Sequence, residues 1–388
     1  MLILALNAGS SSLKLSLYQL DRPGEAGEAA HGLVWEQDSA TDEDIDDRLA
    51  MLWTGKHAVI TGPGDIALVG HRIVHGGAEL THPTRLTTDA IAAIARLTEY
   101  APTHNAMALR GIDAVARVLG ESTPQIAVFD TAFHATLPAA AYTYAGPHAW
   151  LEQGIRRFGF HGISHQYASQ RAARILERAP EGLRLVTCHL GAGCSLAAVA
   201  GGRSVDTTMG FTPLDGIPMS RRPGALDPGI LIHLLRHGGH SVDSLDRLLN
   251  HDSGLAGLSG TTGDMRVVLA RAEAGDDRAR LAFEVYVHHV RQGIAGMAAS
   301  MGGVDAIVFT AGVGENSPAV RRAICAGLGF LGVAIDHERN ARSVEDGRIS
   351  SPGTVTPALV VHARENWTVA TDALRVVLGS ADRATARD

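Results

Sequence analysis

The first chemical signal in the sequence is a short polar turn between two aliphatic runs near the amino terminus. Residues 2–6 and 13–18 alternate as short strands do, and the small residues AGSSS lie between them. Backbone N–H groups and hydroxyls of such a turn, with Lys14 behind them, can bind a phosphate. An ordinary hydrophilic hairpin turn has the same composition, so this stretch alone leaves both interpretations open.

Three charged residues have positions suited to anion or metal chemistry. Asp130 follows an aliphatic strand, where a carboxylate can hold Mg²⁺ directly or through water, or cap the next segment. Arg72 precedes Ile73 and Val74 within a strand, and a buried arginine requires an anionic partner, either an internal aspartate or a substrate. Arg222 lies in a loop rich in Gly and Pro, where arginines are usually solvated.

Two pairs of histidines are spaced four residues apart, His71 with His75 and His161 with His165. We expect no metal site from them, because the chain has neither an HExxH pattern nor a third ligand at a suitable spacing. His161, in the stretch FGFHG, is predicted to donate a hydrogen bond at the edge of a cleft. The alternative is a structural histidine with its hydrogen bonds satisfied.

Composition narrows the class of protein. A chain of 388 residues with 45% hydrophobic residues is expected to form two domains. The net charge of -7 and the lack of a basic cluster argue against a nucleic-acid partner. Apolar runs stay far below the ~20 residues of a membrane span, and the amino terminus does not resemble a signal peptide. Cys188, Cys194 and Cys325 form no CxxC pair, which fits a cytoplasmic protein.

Aliphatic strands that alternate with helical patterns predict an α/β protein with central sheets. Residues 184–204 repeat the amino-terminal design of strand, small-residue turn and strand, which favours two similar halves facing a cleft, although two generic hairpins would look alike. In FTAGVGENSP, glycines precede a helix expected near Pro318, a usual place for a nucleotide. The acidic residues 36–50 predict a surface helix and residues 380–388 a frayed tail.

Eight motifs together are highly specific: NAGSSSLK, HRIVHGG, FDTAFH, FGFHGISH, HLGAG, the LDP of GALDP, SGTTGDMR and FTAGVGENSP. In order and over nearly the whole chain, they resemble the signatures of the acetate kinases. The resemblance implies the superfamily of sugar kinases, Hsp70 chaperones and actin, with two duplicated ribonuclease-H-like (actin-like ATPase) domains around an interdomain cleft. We expect an N-terminal domain over residues 1–150, with 364–388 packing back on it, and a nucleotide-binding domain over 151–363.

The resemblance also implies an activity, namely reversible phosphoryl transfer between ATP and acetate that gives ADP and acetyl phosphate, with Mg²⁺ or Mn²⁺ as cofactor. It implies small-molecule substrates, a homodimer, and neither a nucleic-acid nor a membrane partner. Alternatives are a propionate or other short-chain acyl kinase, a pyrophosphate-using variant, and a non-catalytic nucleotide-binding scaffold. Acetate is already ionised at pH 7, so cations that offset charge repulsion are needed rather than a general base.

Motif by motif, the resemblance implies roles for individual residues. The catalytic residues are Arg72, Asp130, His161 and Arg222. The substrate-binding residues are Arg72, Val74, Thr103, Phe160 and Pro213 for the acyl group, and Ser10 and Ser12 for phosphate. The nucleotide-binding residues are Lys14, His189, Leu190, Gly191, Ala192, Gly193, Asp264, Met265, Arg266, Gly312, Val313, Gly314, Glu315 and Asn316. Asn7 and Glu365, with Asp130, would organise the metal ion and its waters.

The chain departs from the family pattern at several of these positions. Ala192 stands where the family usually has asparagine, which leaves the choice of phosphate donor open. Thr103 replaces a leucine of the acyl pocket, and Glu365 is the one acidic residue retained where the family has TNEE. Val74 narrows the pocket, so propionate is expected to be a slower substrate than acetate.

Overall fold

The computed structural model describes residues 1–8, 12–23, 32–40, 44–342 and 345–385, and for residues 12, 40, 103 and 380–385 the backbone only. The chain forms two compact units. Unit 1 comprises residues 1–135, 160–163 and 364–388, and unit 2 comprises 136–159 and 164–363.

The segment 136–159 is held in unit 2 by hydrogen bonds, although the sequence placed the domain boundary at residue 150. Thr136 Oγ1 donates to the Ser204 carbonyl at 2.8 Å. Arg157 Nη1 donates to the carbonyls of Thr207, Thr208 and Met209 at 2.8–3.1 Å. These partners are distant in sequence, so composition around residue 150 does not reveal them.

Unit 1 contains a six-stranded sheet. Its strands are β1 (Leu2–Ala8), β2 (Ser12–Gln19), β3 (Leu33–Ala40), β4 (Ile66–Ile73), β5 (Thr84–Arg85) and β6 (Gln125–Phe129), in the order β3-β2-β1-β4-β6-β5. β1, β2 and β3 are antiparallel neighbours, whereas β4 is parallel to both β1 and β6. The carboxyl ends of three parallel strands therefore meet at one edge, where ligands bind in α/β sheets.

Unit 2 contains a second six-stranded sheet. Its strands are β7 (Arg184–Leu190), β8 (Cys194–Ala200), β9 (Arg203–Thr207), β10 (Ala306–Thr310), β11 (Gly347–Arg348) and β12 (Ala358–Val360), in the order β11-β12-β10-β7-β8-β9. β7, β8 and β9 are antiparallel, and β10 is parallel to β7 and β12. Each sheet thus has an antiparallel meander, two further parallel strands and an antiparallel edge strand. The predicted α/β fold of two duplicated ribonuclease-H-like domains is confirmed.

Helices connect the strands in both units. They are α1 (Ile45–Ala50), α2 (Thr88–Arg96), α3 (Pro102–Leu119), α4 (Ala139–Tyr142), α5 (His148–Glu152), α6 (Gly162–Leu176), α7 (Pro228–His237), α8 (Val242–His251), α9 (Gly254–Ser259), α10 (Met265–Glu273), α11 (Asp277–Ser300), α12 (Ala311–Asn316), α13 (Pro318–Ala326), α14 (His337–Arg342) and α15 (Glu365–Thr385). α13 begins at Pro318 as predicted, because the Ser317 side chain caps it and proline suits the first helical position. Within the described parts of the chain, no helix combines the length and apolarity needed to span a bilayer.

Two local predictions were wrong. Residues 36–40 continue strand β3 instead of opening a surface helix, because Ser16 donates to Glu36 at 2.9 Å and Lys14 pairs with Asp38 at 3.3 Å across the strands. Among the described residues of this acidic stretch, which exclude 41–43, the helix spans Ile45–Ala50. At the other end of the chain, α15 continues through Thr385 where a frayed tail was expected.

Candidate active site

Four polar residues of unit 1 converge at the carboxyl ends of β1, β4 and β6. Asn7 and Arg72 are register partners on β1 and β4, and Asp130 directly follows β6. The Arg72 guanidinium donates from Nε to Asp130 Oδ1 at 3.0 Å and from Nη2 to Oδ2 at 2.5 Å. Its Nη1 donates to Asn7 Oδ1 at 2.9 Å, and Asn7 Nδ2 donates to Glu365 Oε2 at 3.2 Å. An internal aspartate is therefore one partner of Arg72.

This cluster is buried and carries net negative charge. The side chain of Asp130 is 1% exposed and that of Arg72 14%. Burial raises the pKa of Asp130 above its ordinary value, against the attraction of Arg72 and a hydrogen bond from the His161 N–H. Burial alone would lower the pKa of Arg72, but Asp130 and Glu365 raise it. Because the cluster has two carboxylates and only one guanidinium, it can bind a further cation.

Arg72 also retains hydrogen-bonding capacity. A guanidinium has five N–H donors, and three of those of Arg72 are used by Asp130 and Asn7. Within the described chain, two donors therefore remain for an anionic ligand. The salt bridge to Asp130 restrains the plane of the guanidinium, because it is bidentate: Nε and Nη2 each bond one carboxylate oxygen.

His161 is held against Asp130 by its backbone. Its φ is +56°, in the left-handed region that costs energy for a residue other than glycine. The His161 N–H donates to the Asp130 carboxylate, and the Gly162 N–H donates to the Asp130 carbonyl at 2.9 Å. A Cβ at position 162 would lie 2.1 Å from that carbonyl oxygen, so glycine is required there. Strain of this kind is typical of functional residues.

Two predicted residues of the acyl pocket are buried in unit 1. Val74 and Phe160 are 5% and 1% exposed. The ring centroid of His75 lies 5.5 Å from that of Phe160. Asn105 accepts a hydrogen bond from the His75 N–H and donates to its carbonyl, at 3.2 and 3.1 Å, which holds the backbone next to Val74.

Other predicted substrate residues are described only in part. Ser10 lies outside the described residues, and the side chains of Ser12 and Thr103 do as well. Lys14 is exposed and its Nζ lies 3.3 Å from Asp38 Oδ2. Pro213 belongs to unit 2, where its carbonyl accepts from Arg222.

Histidines that were discounted as metal ligands have structural partners. His71 Nε2 lies 2.7 Å from Gln125 Oε1, and burial lowers the pKa of His71 to about 4. Both ring nitrogens of His165 lie within 2.8 Å of hydroxyls, those of Thr187 and Ser195. Across the described residues, no group of three or more His, Cys, Asp or Glu side chains is placed to hold a metal ion.

In unit 2, two predicted nucleotide segments lie side by side. His189 and Leu190 end β7 and Gly191–Gly193 follow it, whereas Ala311–Asn316 follows β10. These strands are parallel, with Thr310 opposite His189. A Cβ at Gly191 would lie 3.6 Å from the Cβ of Ala311, whose own φ is +65°. His189 Nδ1 lies 2.8 Å from Ser164 Oγ, which fixes the orientation of the ring. Glycine-rich backbone at strand ends can approach a phosphate closely.

Ser220 connects the third predicted nucleotide segment, residues 264–266, to the segment 189–193. Its N–H donates to the Ala192 carbonyl at 3.1 Å and its Oγ donates to the Gly263 carbonyl at 2.9 Å. Gly263 precedes Asp264, which caps α10 by accepting from the Arg266 N–H at 2.8 Å. The Arg266 side chain is 90% exposed and pairs with Asp264. Neither Ser220 nor Ser164 could be predicted from the sequence, because a lone serine has no distinctive pattern.

Arg222 is a half-buried cation for which the described residues provide no countercharge. In the part of the chain that is described, its partners are the Pro213 carbonyl at 3.3 Å and the Met219 sulfur at 4.0 Å, both from Nη1. Burial lowers the pKa of Arg222. The nearby Cys194 thiol stays neutral at pH 7, since burial raises its pKa to about 11. A desolvated guanidinium of this kind is suited to bind an anion.

Comparisons with known proteins agree with this architecture. The sequence profile described as the Acetokinase family matches residues 36–371. The acetate kinase of Gloeobacter violaceus is 48% identical, covering 95% of this chain and 98% of that protein. An acetate kinase from a Synechococcus species is 50% identical, covering 97% and 99%.

Solved structures give the same result. The crystal structure of Porphyromonas gingivalis acetate kinase is 32% identical with a TM-score of 0.88, covering 97% of this chain and 99% of that one. A propionate kinase from Francisella tularensis is 34% identical with a TM-score of 0.83, covering 96% and 98%. Fold and site together define a two-domain kinase of the actin-like ATPase class. The chain belongs to the acetokinase family, as the ordered motifs predicted.

Proposed function

We propose that the chain is an acetate kinase, which reversibly transfers a phosphoryl group between ATP and acetate to give ADP and acetyl phosphate. The observation that carries the proposal is the Arg72 cluster. A guanidinium restrained by Asp130 at the carboxyl ends of parallel strands keeps two N–H donors for a substrate anion. Support also comes from acetate kinases that align over nearly the whole chain.

Charge neutralisation is the main task of the protein in this reaction. Acetate is ionised at pH 7, and it must approach an equally anionic γ-phosphate. In the proposal, Arg72 binds the acetate carboxylate, and Arg222 and His161 donate to the oxygens of the transferring group. Arg222 suits this role because no carboxylate of the described chain forms an ion pair with it. In-line positioning by these groups supplies much of the rate enhancement.

The unit 1 cluster has the chemistry of a magnesium site. Asp130, Glu365 and Asn7 offer carboxylate and amide oxygens, and the cluster has a net negative charge with Arg72 included. Mg²⁺ in kinases is commonly held by one or two carboxylates, with substrate phosphates and waters completing its coordination. We propose that the carboxylate oxygens of Asp130 and Glu365 hold Mg²⁺. The bound ion would supply further neutralisation of phosphate charge.

The direct test of the proposal is acyl phosphate formation. Purified protein with ATP, Mg²⁺ and acetate is expected to give acetyl phosphate, trapped with hydroxylamine as acetohydroxamate. Parallel reactions with pyrophosphate in place of ATP test the role of Ala192, whose carbonyl accepts from Ser220. Product from pyrophosphate but not from ATP would overturn the choice of donor, and no product from either would overturn the proposed function.

A propionate kinase is the second candidate, favoured by the 34% identity to the Francisella tularensis enzyme. Val74→Ala is expected to raise the ratio of kcat/KM for propionate to that for acetate by about 10-fold or more, because one methylene is worth ~1–3 kcal/mol in an apolar pocket. The control is Val69→Ala, a buried valine of β4, the strand that ends next to Val74, and it is expected to lower stability and leave the ratio unchanged. An unchanged ratio in Val74→Ala would remove Val74 from the acyl pocket.

We also propose a homodimer that uses α7. This helix exposes Ile232 and Leu235 on one face and Ile230 on the opposite side, whereas apolar helix faces are ordinarily buried. A second copy would cover the same face on both protomers about a two-fold axis. Light scattering is expected to give about twice the 40.7 kDa of one chain. Ile232→Glu should give monomers, and Val355→Glu, on an exposed loop, should not; a wild-type monomer would contradict the proposal.

A further inference from the structure

Arg321 is the largest fully buried side chain of the described structure and has no role in the site described above. It is 0% exposed on α13, on the same face as Val320, Ile324 and Cys325. In the described chain it has no carboxylate partner, and burial lowers its pKa to about 10. An uncompensated guanidinium is costly to bury, and an apolar residue of similar volume would avoid that cost.

In the described chain the acceptors of Arg321 are neutral, and they lie within the nucleotide segment itself and on α14. Nη1 donates to the carbonyls of Gly314 and Glu315 at 2.8 and 2.6 Å. Nε and Nη2 donate to the side-chain and main-chain oxygens of Asn340 at 2.8 and 2.7 Å. Asn340 in turn donates to the Pro318 carbonyl at 2.9 Å. Four hydrogen bonds thus fix the guanidinium between α12, α13 and α14.

The two carbonyls on α12 require such a partner. The last four carbonyls of an α-helix have no intrahelical donor, and those of Gly314 and Glu315 are among them in the six-residue α12. The helix also begins at Ala311 with a φ of +65°, so its backbone is strained at the start. Glu315 is held a second time, because its Oε1 accepts from the Ala363 N–H at 2.7 Å. Arg321 therefore restrains a short helix that would not be stable by itself.

We propose that Arg321, supported by Asn340, is a positioning residue for the nucleotide: it caps α12 and so holds the backbone of residues 312–316 in the conformation that binds ATP. This rests on the proposed function, which places the nucleotide at these residues. Arg321 does not touch the nucleotide in this role. Its loss should therefore weaken nucleotide binding by loosening the segment, and acetate binding should be unaffected.

The test compares two arginines that cap carbonyls at α12 and at α13. Arg321→Met removes the bonds to α12, whereas Arg291→Met removes the bonds to the Ala323 and Ile324 carbonyls at the end of α13. We expect Arg321→Met to raise the Kd for MgATP, measured by titration calorimetry, about tenfold or more, because preorganisation is lost. Its KM for acetate should stay within about twofold of wild type. Arg291→Met should lower the melting temperature and leave the Kd for MgATP unchanged.

Arg321→Lys provides a second variant if the methionine variant does not fold. Lysine keeps the charge but lacks the fork that reaches Asn340 and both carbonyls, so its Kd for MgATP should also rise. If folded Arg321→Met or Arg321→Lys binds MgATP as tightly as wild type, the inference is wrong even when acetyl phosphate is formed. If MgATP binding weakens but wild type forms no acetyl phosphate, the proposed function fails and the inference stands.

Discussion

Replacing Arg222 with alanine is expected to lower the rate of acetyl phosphate formation by about 10² to 10³ or more, the usual effect of removing a donor aimed at developing charge. Its guanidinium is half-buried, and the described chain offers it a carbonyl and a sulfur but no carboxylate. A cation left uncompensated in this way is available for the substrate. Binding of MgATP, measured by calorimetry, should survive the substitution, because in the described chain the hydrogen bonds of the Arg222 side chain go to Pro213 and Met219, outside the nucleotide segments.

The stability of this variant separates a catalytic role from a structural one. Removing Arg222 breaks no ion pair among the described residues, so the free energy of unfolding in urea should change little. Arg221→Ala is the matched control, since this neighbouring arginine is exposed and is expected to be dispensable. Retention of more than about a tenth of the wild-type rate by Arg222→Ala would contradict the proposed role, given the size of such effects in other enzymes.

Much of the fold could be predicted because its signals are local. The period of aliphatic residues identified the hairpins β1–β2 and β7–β8, and the similarity of these hairpins suggested the duplication that the two sheets show. The errors came from partners distant in sequence. Residues 36–40 form a strand because Lys14 and Ser16 lie opposite them, and nothing within that acidic stretch indicates this pairing.

The site was predicted less completely for the same reason. A buried arginine at position 72 was expected to have an anionic partner. Only the parallel pairing of β4 with β6 shows that Asp130 is such a partner. Arg321 was missed although a signal was present. A helical period places it on the apolar face of α13 with Ile324 and Cys325, where an arginine must have a specific partner. Which carbonyls it caps depends on tertiary structure and could not be read from the pattern.

The Arg72–Asp130 pair gives the prediction with the largest effect on both activity and stability. Arg72→Ala should abolish measurable transfer and also lower the free energy of unfolding by about 3–5 kcal/mol, because it leaves a buried carboxylate uncompensated. Arg72→Ala combined with Asp130→Asn removes that charge, so stability should largely return while activity does not. The exposed Arg117–Asp46 pair, at 2.8 Å, is the control, and Arg117→Ala should cost no more than about 1 kcal/mol.

The pH dependence distinguishes this charge effect from lost packing. In Arg72→Ala the folded-state pKa of Asp130 is expected to rise further above its unfolded value. The folded protein then favours the protonated carboxyl, which costs free energy at any pH where the unfolded chain would ionise it. The stability deficit relative to the double variant should then grow as pH rises above about 4 and vanish below it. Urea unfolding of both variants from pH 3.5 to 8 measures this difference. A deficit independent of pH would mean that Arg72 stabilises the sheet by packing alone, and Asp130 would not be its electrostatic partner.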